Sequence, residues 1–220
     1  IDLYGDFTTS GGLLGASCLS FPNQDRLVDL GAAFGPADGD DFTIEAWFNC
    51  PTSGHSGNQN YIVGKRNGGG NPLIAIYTNN VANVDKISVE VHDGSNGVAL
   101  FSNSTVNDGK WHHVALVYDA SDKAKLYLDG KLQSEADCTA VGALNFSAVT
   151  CIGARGDGTT SLTDAGYHWI GEIDEVRIWE DVRTETEIRT NMFDETPAGD
   201  NLLRHYKLNE GTGSSAADTG

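Results

Sequence analysis

The stretch DGKWHHVALVYD, residues 108–119, has the pattern of a strand that is covered on both faces. Successive side chains of a strand point to opposite faces, so His112 and His113 cannot bind one ion together. The positions that alternate with each histidine are largely apolar, which predicts a central strand in a layered protein. Each imidazole is then kept because its nitrogens find hydrogen-bond partners. A ligand role would need other histidines nearby, and those at 55, 92, 168 and 205 follow no metal-binding spacing.

Similar strand-like segments, separated by glycine-bearing turns, surround this stretch along most of the chain. They are DFTIEAWFN (41–49), YIVGK (61–65), LIAIYT (73–78), KISVEVH (86–92), VALFS (98–102), KLYLDGKLQ (125–133), VTCIGAR (149–155), WIGEIDEVRIW (169–179) and LLRHYKLN (202–209). The dipeptide Asp129-Gly130 predicts a two-residue hairpin in which both residues take positive φ. Thr184 and Glu187 form a capping-box pattern ahead of Ile188, and this pattern predicts one short helix.

Together the segments predict an all-β fold. Two antiparallel sheets would pack face to face in a jelly-roll β-sandwich, with one short helix near the C-terminus. The alternation of strands and helices that is typical of parallel sheets does not occur. A chain of 220 residues is within the length that single sandwich domains commonly reach. We therefore expect one domain over 1–220, with its core at about 18–209.

The charge balance excludes some partners. Thirty-one acidic residues against fourteen basic ones give a formal charge of −17 at pH 7, which would repel nucleic acid or an anionic membrane surface. Such a surface attracts divalent cations, and Ca²⁺ prefers carboxylate and carbonyl oxygens, although acidity can equally serve solubility alone. The acidic loop with Asp38, Asp40 and Asp41 is one possible calcium site. No apolar run approaches the roughly 18 residues that a membrane span needs.

Four dispersed cysteines, Cys18, Cys50, Cys138 and Cys151, show neither a C-x-x-C pair nor zinc-finger spacing. An even, dispersed set suits two disulfides in an exported protein, with three possible connectivities. The residues between Cys138 and Cys151 can form a local excursion from paired strands, which favours this pair and leaves Cys18 with Cys50. The alternative is that all four remain thiols.

The stretch GEIDEVRIWED, residues 171–181, raises the question of catalysis. Glu172 and Asp174 lie two apart on one face of a strand, and retaining glycosidases need two carboxylates about 5–5.5 Å apart. The segment resembles the E-I-D-x-E catalytic strand of laminarinase-type glycoside hydrolases. That motif needs a third carboxylate on the same face of the strand as the first two. Here position 176 is Val176, and Glu175 falls out of phase unless a bulge intervenes. The spacing therefore disfavours an enzyme.

Several motifs follow in order: DFTIEAWF, DGKWHHVALVYD, KLYLDGKL, CIGAR and GEIDEVRIW, then a helix at RTETEI. This order resembles the laminin-G-like, concanavalin A-type jelly-roll modules of secreted and cell-surface proteins, and the resemblance covers most of residues 18–193. It implies two curved sheets, usually without catalysis, often binding glycans or proteins and often carrying structural calcium. It also implies that 1–12 and 202–220 are segments between repeated modules.

In that superfamily the aspartate of the G-x-I-D-E-V strand commonly offers calcium its side chain and its main-chain carbonyl. Carried over, the resemblance implies Asp174 as a calcium ligand, opposite the turn at 22–25. Relatives often read F-D-G there, so Asn23 and Asp25 are the implied partners, while Pro22 departs from the pattern. The alternative is that Asp174 only caps a turn or pairs with Arg26.

One aromatic cluster is a candidate for sugar binding. Aromatic rings that face solvent can stack on sugar rings while neighbouring polar groups bind the hydroxyls. The best such cluster is Trp169 with Tyr167 and His168, beside the Gly/Asp/Thr-rich loop 156–166. The alternative for Trp169 is packing in the core or at its rim. The tryptophans at 47, 111 and 179 occupy strand positions of the family and are predicted to be core.

These features predict a non-catalytic recognition module that is secreted or displayed at the cell surface. It would bind a polysaccharide or glycoprotein and carry structural calcium. The alternative is a structural or adhesive unit that assembles with neighbouring copies of itself through strand addition at an open sheet edge. A laminarinase-type glycoside hydrolase is the least favoured function. Asn103 and Asn145 meet the N-glycosylation pattern, which matters only in a eukaryotic secretory pathway.

Overall fold

Strands dominate the structure. The computed structural model describes residues 2–4, 8–10, 12–15, 17–22, 26–31, 39–53, 59–67, 71–80, 83–144, 149–156, 167–197, 199, 201–210 and 216–219. Within these ranges the chain forms, in order, β1 (Asp2–Tyr4), β2 (Thr8–Ser10), β3 (Cys18–Phe21), β4 (Leu27–Asp29), β5 (Phe42–Asn49), β6 (Asn60–Asn67), β7 (Asn71–Asn80), β8 (Asn83–His92), β9 (Gly97–Thr105), β10 (Trp111–Tyr118), β11 (Lys123–Leu128), β12 (Lys131–Asp137), β13 (Thr150–Ile152), β14 (Gly171–Trp179), α1 (Glu185–Asn191) and β15 (Leu202–Tyr206).

These strands form two antiparallel sheets. The seven-stranded sheet has the order β1-β4-β13-β6-β7-β8-β9. The eight-stranded sheet has the order β12-β11-β10-β5-β14-β3-β2, with β15 paired to β14. Strand β10 lies between β5 and β11, so it is the central strand that its pattern predicted. The predicted all-β sandwich with one short helix near the C-terminus is confirmed.

The inward rows of both sheets fill the space between them. Alternate residues of 114–118 in β10 and of 87–91 in β8 are buried there. Phe42 stacks on Tyr118 with ring centroids 5.1 Å apart. Since burying one Val, Leu or Ile side chain contributes about 1.5–3 kcal/mol, this shared core is what holds the two sheets together.

Two local predictions are confirmed. Asp129 and Gly130 connect β11 to β12 with φ of 51° and 68°, the conformation of a tight hairpin turn. Thr184 caps α1: its hydroxyl accepts from the N–H of Glu187, and the Glu187 carboxylate accepts from the N–H of Thr184. Ile188 packs the helix onto the outward residues of β10 and β11. In the ranges described, no helix is long and apolar enough to cross a lipid bilayer.

The long edge strands β9 and β12 lie against each other. The Ser134 hydroxyl donates to the carbonyl of Phe101 at 3.0 Å, and the Asn103 amide donates to the carbonyl of Gln133 at 3.2 Å. Because these two edges are bonded to one another, strand addition by another copy is disfavoured there. Asn103 is exposed at this junction, whereas Asn145 lies outside the described residues.

Segments near both ends of the chain join the sandwich. Strand β1 pairs with β4 in one sheet, and β2 pairs with β3 in the other. Strand β15 pairs with β14, and the Asp218 carboxylate accepts the N–H of His205 at 3.1 Å. The described parts of 1–12 and 202–220, which resemble segments between modules, therefore belong to this fold.

All four cysteines are buried thiols, so the two predicted disulfides are not formed in the structure. Cys50 and Cys138 lie in the core between the sheets. Cys151 belongs to a separate cluster, and Cys18 alternates with the inward Leu19 and so points outward. Each predicted pair thus combines a side chain in the core with one outside it. Burial raises the pKa of the Cys50 thiol to about 12, as expected for an inert thiol.

Candidate functional site

The outward face of the eight-stranded sheet is covered by α1 and the residues that follow it. We name it the helix-covered face and define it by six buried side chains: Glu45, Trp47, His113, Glu175, Arg177 and His205. Arg177 donates to the Glu175 carboxylate and to the carbonyl of Asn191, both at 2.7 Å. Trp47 Nε1 donates to the carbonyl of Met192 at 2.6 Å. Side chains of the sheet therefore hold the end of the helix.

Two histidines of this face lie beside buried carboxylates. His205 Nε2 is 2.6 Å from Glu175 Oε2, and His113 Nε2 is 3.3 Å from Glu45 Oε2. All four side chains are at most 3% exposed, and such groups are tolerated in a protein interior when they are paired. The imidazole of His113 also meets the ring of Trp47 edge-on, with centroids 5.2 Å apart. His113 is therefore a core histidine, as its strand pattern predicted. Its Nε2 lies beside Glu45, but its Nδ1 has no hydrogen-bond partner among the described residues.

Strand β14, the candidate catalytic strand, contains a β-bulge. Its register with β5 shifts between Asp174 and Arg177, and Glu175 has a φ of 50°. The bulge turns Glu175 to the outward face, where Glu172 and Asp174 also point. Glu175 is buried and bonded to Arg177 there, so it does not line an open cleft. Among the three described carboxylates of this strand, only Glu172 is partly exposed, so they do not form the accessible pair that a glycosidase uses.

Asp174, the implied calcium ligand, is surrounded by backbone donors. Its carboxylate accepts the N–H of Leu13 at 3.1 Å, of Leu14 at 3.4 Å and of Glu175 at 3.0 Å. Burial raises the pKa of Asp174 to about 7. Calcium needs converging oxygens, whereas Asp174 faces N–H groups and caps the bend at 13–15. These contacts correspond to the alternative role of Asp174 as a cap.

The other residues of the calcium prediction are only partly described. Asn23, Asp25 and Asp38 lie outside the described residues. Asp40 is exposed, and Asp41 accepts the N–H of Ala120 at 2.8 Å. Among the residues that the structure covers, no group of three or more His, Cys, Asp or Glu side chains could hold a metal ion. Calcium binding stays a prediction, and the hydrogen bonds described for the Asp174 carboxylate come from backbone N–H groups.

The fold divides the predicted sugar-binding cluster. Trp169 is fully buried in the core between the sheets, which is the alternative stated for it. His168 is also buried, in a β-bridge with Ala154. The N–H of Trp169 donates to the carbonyl of Gly153 at 2.8 Å, which aligns this segment with the end of β13 and directs the indole inward. Neither side chain is accessible to a glycan, and only Tyr167 stays partly exposed.

Tyr167 joins two other tyrosines on the outward face of the seven-stranded sheet. Tyr61 of β6 and Tyr77 of β7 are register partners whose rings stack with centroids 5.2 Å apart. The ring of Tyr167 meets Tyr61 edge-on at 6.4 Å, and the Arg155 guanidinium lies 3.9 Å from the centroid of Tyr167. We name this cluster the tyrosine face and define it by Tyr61, Tyr77, Tyr167, Arg66, Arg155 and Glu90.

A glycine in β6 allows this arrangement. A Cβ at Gly64 would come within 2.6 Å of the carbonyl oxygens of both Ala154 and Arg155. Because Gly64 has no side chain, the segment that ends β13 runs directly beside β6. The bridge between Ala154 and position 168 then sets Tyr167 beside the stacked tyrosines.

The tyrosine face has a buried floor and a partly exposed margin. Tyr61 and Tyr77 are at most 1% exposed, while Tyr167 and the three charged residues are half-buried. Burial raises the pKa of Tyr61 and of Glu90 above their ordinary values. The Tyr77 hydroxyl bonds the Glu90 carboxylate and partly offsets the rise at Glu90. Such a surface can pack against an apolar ring and bond its polar substituents.

His112 forms a separate cluster at the start of β10. Its Nδ1 lies 2.9 Å from Asp129 Oδ2, and its Nε2 lies 3.2 Å from Asp108 Oδ1. The hydrogen bond to Asp129, and then the nearby carboxylate charges, raise the pKa of His112 against the opposing effect of burial. Since Asp129 is the first residue of the hairpin turn, this contact ties the turn to β10. The two histidines of the opening stretch thus have different surroundings, as their alternation predicted.

Reasoning from sequence missed most of the tyrosine face. The alternation of inward Ile74 and Ile76 marks Tyr77 as outward, and that signal is present in LIAIYT. The pairing of Tyr77 with Tyr61 depends on the register of β6 and β7, which shifts between Tyr61 and Val63. Sequence periodicity alone does not reveal that shift.

The family of the chain follows from its fold and from comparison. Two antiparallel sheets with one covering helix define a jelly-roll sandwich module. The model of the Laminin_G_3 family, of the concanavalin A-like lectin/glucanases superfamily, matches residues 23–189. The chain belongs to this family.

Known proteins resemble the chain at low identity. It is 26% identical to the rat (Rattus norvegicus) sushi, von Willebrand factor type A, EGF and pentraxin domain-containing protein 1 over 88 residues, which are 39% of this chain and 2% of that protein. A candidate carbohydrate-binding protein from Bacteroides ovatus has a TM-score of 0.65 at 19% identity, covering 100% of this chain and 56% of that one. Domain 4 of AbnA, an extracellular arabinanase from Geobacillus stearothermophilus, in complex with arabinotriose, has a TM-score of 0.63 at 15% identity, covering 84% and 81%. These likenesses establish the fold, and the chain spans only a small part of the rat protein.

Proposed function

We propose that the chain is a non-catalytic, extracellular glycan-recognition module that binds its ligand on the tyrosine face. The observation that carries the proposal is the outward cluster of three tyrosines with two arginines and a glutamate at its margin. An aromatic ring offers a flat apolar surface to the C–H groups of a sugar. Guanidinium and carboxylate groups can bond the sugar hydroxyls around it.

The construction of the face supports this role. Tyr61 and Tyr77 are paired on neighbouring strands and buried, so the floor of the site is rigid before any ligand arrives. Rigid, pre-positioned groups reduce the entropic cost of binding. Tyr167, at the margin, is partly exposed and can contact a ligand directly.

Two further observations support a binding role without catalysis. The carboxylates Asp174 and Glu175 of the candidate catalytic strand are buried and bonded within the protein. The arabinanase domain of similar fold was solved in complex with arabinotriose, which supports a glycan as the class of ligand for this fold. Assembly through strand addition has less support, because the long edges β9 and β12 cover each other.

The test is a glycan array probed with the wild-type chain and with Tyr167→Ala. We expect Tyr167→Ala to weaken binding by about tenfold or more, since a lost ring contact is worth roughly 0.5–1.5 kcal/mol beyond its buried area. Phe193→Ala is the matched control, because Phe193 is a 58% exposed ring beside Trp47 of the helix-covered face. We expect that control to bind like the wild type.

Absence of wild-type binding to any glycan, with calcium and with chelator, would contradict the proposal and favour assembly. Equal losses in Tyr167→Ala and Phe193→Ala would place the site elsewhere. Running the array and a thermal melt in both conditions also tests the calcium prediction. An unchanged melting temperature in chelator would contradict structural calcium.

A further inference from the structure

The tyrosine face concentrates positive charge in an acidic protein. The chain has fourteen lysines and arginines against thirty-one acidic residues. Two of those fourteen, Arg66 and Arg155, lie close enough to Tyr61 that each opposes the rise in its pKa. Arg66 and Arg155 therefore both lie in the neighbourhood of Tyr61, and the guanidinium of Arg155 contacts the ring of Tyr167. Without these two arginines the net charge would be more negative than −17, so overall charge disfavours an anionic ligand and binding one needs a local cluster of cations.

The geometry orients one of the two cations. Arg155 stacks over Tyr167 with its central carbon 3.9 Å from the ring centroid. Stacking uses the flat face of a guanidinium, and its N–H donors point outward within the plane. The cation is thus presented beside the partly exposed ring of Tyr167.

The second cation is positioned by its backbone. The N–H of Arg66 donates to the carbonyl of Gly156 at 2.6 Å, which fastens the end of β6 beside the segment that carries Arg155. The Glu90 carboxylate also lies on this face, where burial raises its pKa and the Tyr77 hydroxyl and the charges of His92 and Arg66 oppose that rise. Among the described residues of this face, two arginines thus accompany one carboxylate, and that carboxylate already has a donor.

We propose that the tyrosine face selects glycans that carry an anionic substituent, a carboxylate or a sulfate ester. Arg66 and Arg155 receive the anion, and Tyr167 contacts the sugar ring that bears it. Guanidinium groups bind such planar or multi-oxygen anions with paired N–H donors, which neutral sugars cannot match. This inference rests on the proposed function and names the class of glycan for the same site.

The experiment compares matched polysaccharides that differ in charge. Polygalacturonate and its methyl ester share one backbone and differ in their carboxylates. Dextran sulfate and dextran share another and differ in their sulfate esters. The two pairs therefore show which of the two anionic substituents the site prefers. Binding of each to the full chain is measured by biolayer interferometry at two salt concentrations. We expect one charged member to bind about tenfold or more tighter than its neutral partner, and to weaken as salt rises.

Variants assign the effect to the site. Arg66→Gln and Arg155→Gln should each weaken binding of the charged glycan by about tenfold and leave the neutral partner nearly unchanged. Arg189→Gln is the matched control, because it removes one charge from a 63% exposed arginine on α1, on the other sheet. That control should keep affinity within about twofold.

Three outcomes would overturn the inference, and they can be told apart. If charged and neutral partners bind equally while Tyr167→Ala still abolishes binding, glycan recognition stands and anion selection is wrong. If Arg189→Gln weakens binding as much as Arg66→Gln, the attraction is a general effect of charge and not a site. If no polysaccharide binds, the proposed function fails together with the inference.

Discussion

The two outward faces of the sandwich use the same kinds of side chain for different purposes. On the helix-covered face, the guanidinium of Arg177 and the carboxylate of Glu175 are at most 1% exposed and bonded to each other. On the tyrosine face, Arg66 and Glu90 are half-buried at the margin of an aromatic cluster. The difference comes from what lies above each sheet, since α1 covers one face. Residue type therefore does not define a site, whereas access to solvent does.

The largest expected effect tests the buried ion pair. Arg177→Met leaves the Glu175 carboxylate buried beside His205 without its cation, and we expect a loss of about 3–5 kcal/mol in the free energy of unfolding. Urea unfolding followed by tryptophan fluorescence measures it. The same substitution on the other face, Arg66→Met, should cost less than about 1 kcal/mol, because that side chain is half-exposed.

A double variant distinguishes the cost of losing the ion pair from the cost of leaving the Glu175 carboxylate buried without a cation. Glu175→Gln combined with Arg177→Met removes both charges, so it should recover part of the stability that Arg177→Met loses. Similar losses of unfolding free energy in Arg177→Met and Arg66→Met would contradict the expected difference between the two faces. No recovery in the double variant would show that the hydrogen bonds from Arg177 to the end of α1 carry the stability instead.

The next effect is a dependence of stability on pH at Asp174. Burial raises its folded pKa to about 7, above the value of about 3.9 expected in the unfolded chain. The folded state therefore holds the proton more tightly, and this contribution to stability is present at low pH and lost as the pH rises through about 7. One proton changes the free energy of unfolding by at most about 1.4 kcal/mol per pH unit.

Asp174→Asn removes that proton while keeping an oxygen for the N–H groups of Leu13 and Leu14. Compared with the wild type, we expect the variant to lose less stability between pH 5 and pH 8 in urea unfolding. Parallel stability profiles of the two proteins over this range would contradict the prediction. Asp93→Asn is a control, because Asp93 is a partly exposed carboxylate whose folded pKa is lowered by backbone donors.

The smallest effect concerns the cap of the helix that covers one face. Thr184→Ala removes the hydroxyl that accepts the N–H of Glu187, at a cost of about 1 kcal/mol. Thr190→Ala, later in the same helix, removes a hydroxyl that donates only to the carbonyl of Thr186 and should stay within about 0.5 kcal/mol. Hydrogen exchange should quicken in α1 of Thr184→Ala, with glycan binding unchanged. A loss of glycan binding in that variant would show that the two faces are coupled.

Local patterns were enough to predict much of the fold. The Asp129-Gly130 turn, the capping box at Thr184 and Glu187, and the alternation along β8 and β10 are each settled by residues a few positions apart. Turn and cap conformations depend on the steric and hydrogen-bonding properties of those residues alone. Strand alternation likewise separates His112 from His113 before any partner strand is known.

The candidate site was less predictable, because it depends on which strands become neighbours. Tyr61 and Tyr77 meet only through the register of β6 and β7, and Tyr167 reaches them only because Gly64 lets the end of β13 run beside β6. Trp169 is two positions from Tyr167 and has the side chain best suited to sugar stacking, yet it points into the core. Pairing register and bulges arise from packing across the whole sheet.

By itself, the sequence determined an all-β sandwich of alternating strands, its hairpin, its helix cap and the separation of the two adjacent histidines. Those features follow from interactions within a single strand or turn. Only the tertiary structure decided that the cysteines lie in different layers, that Glu175 turns outward at a bulge, and that three tyrosines and two arginines share the outward face of one sheet. These outcomes depend on contacts between residues far apart in the chain, where small differences in register decide which side chains meet.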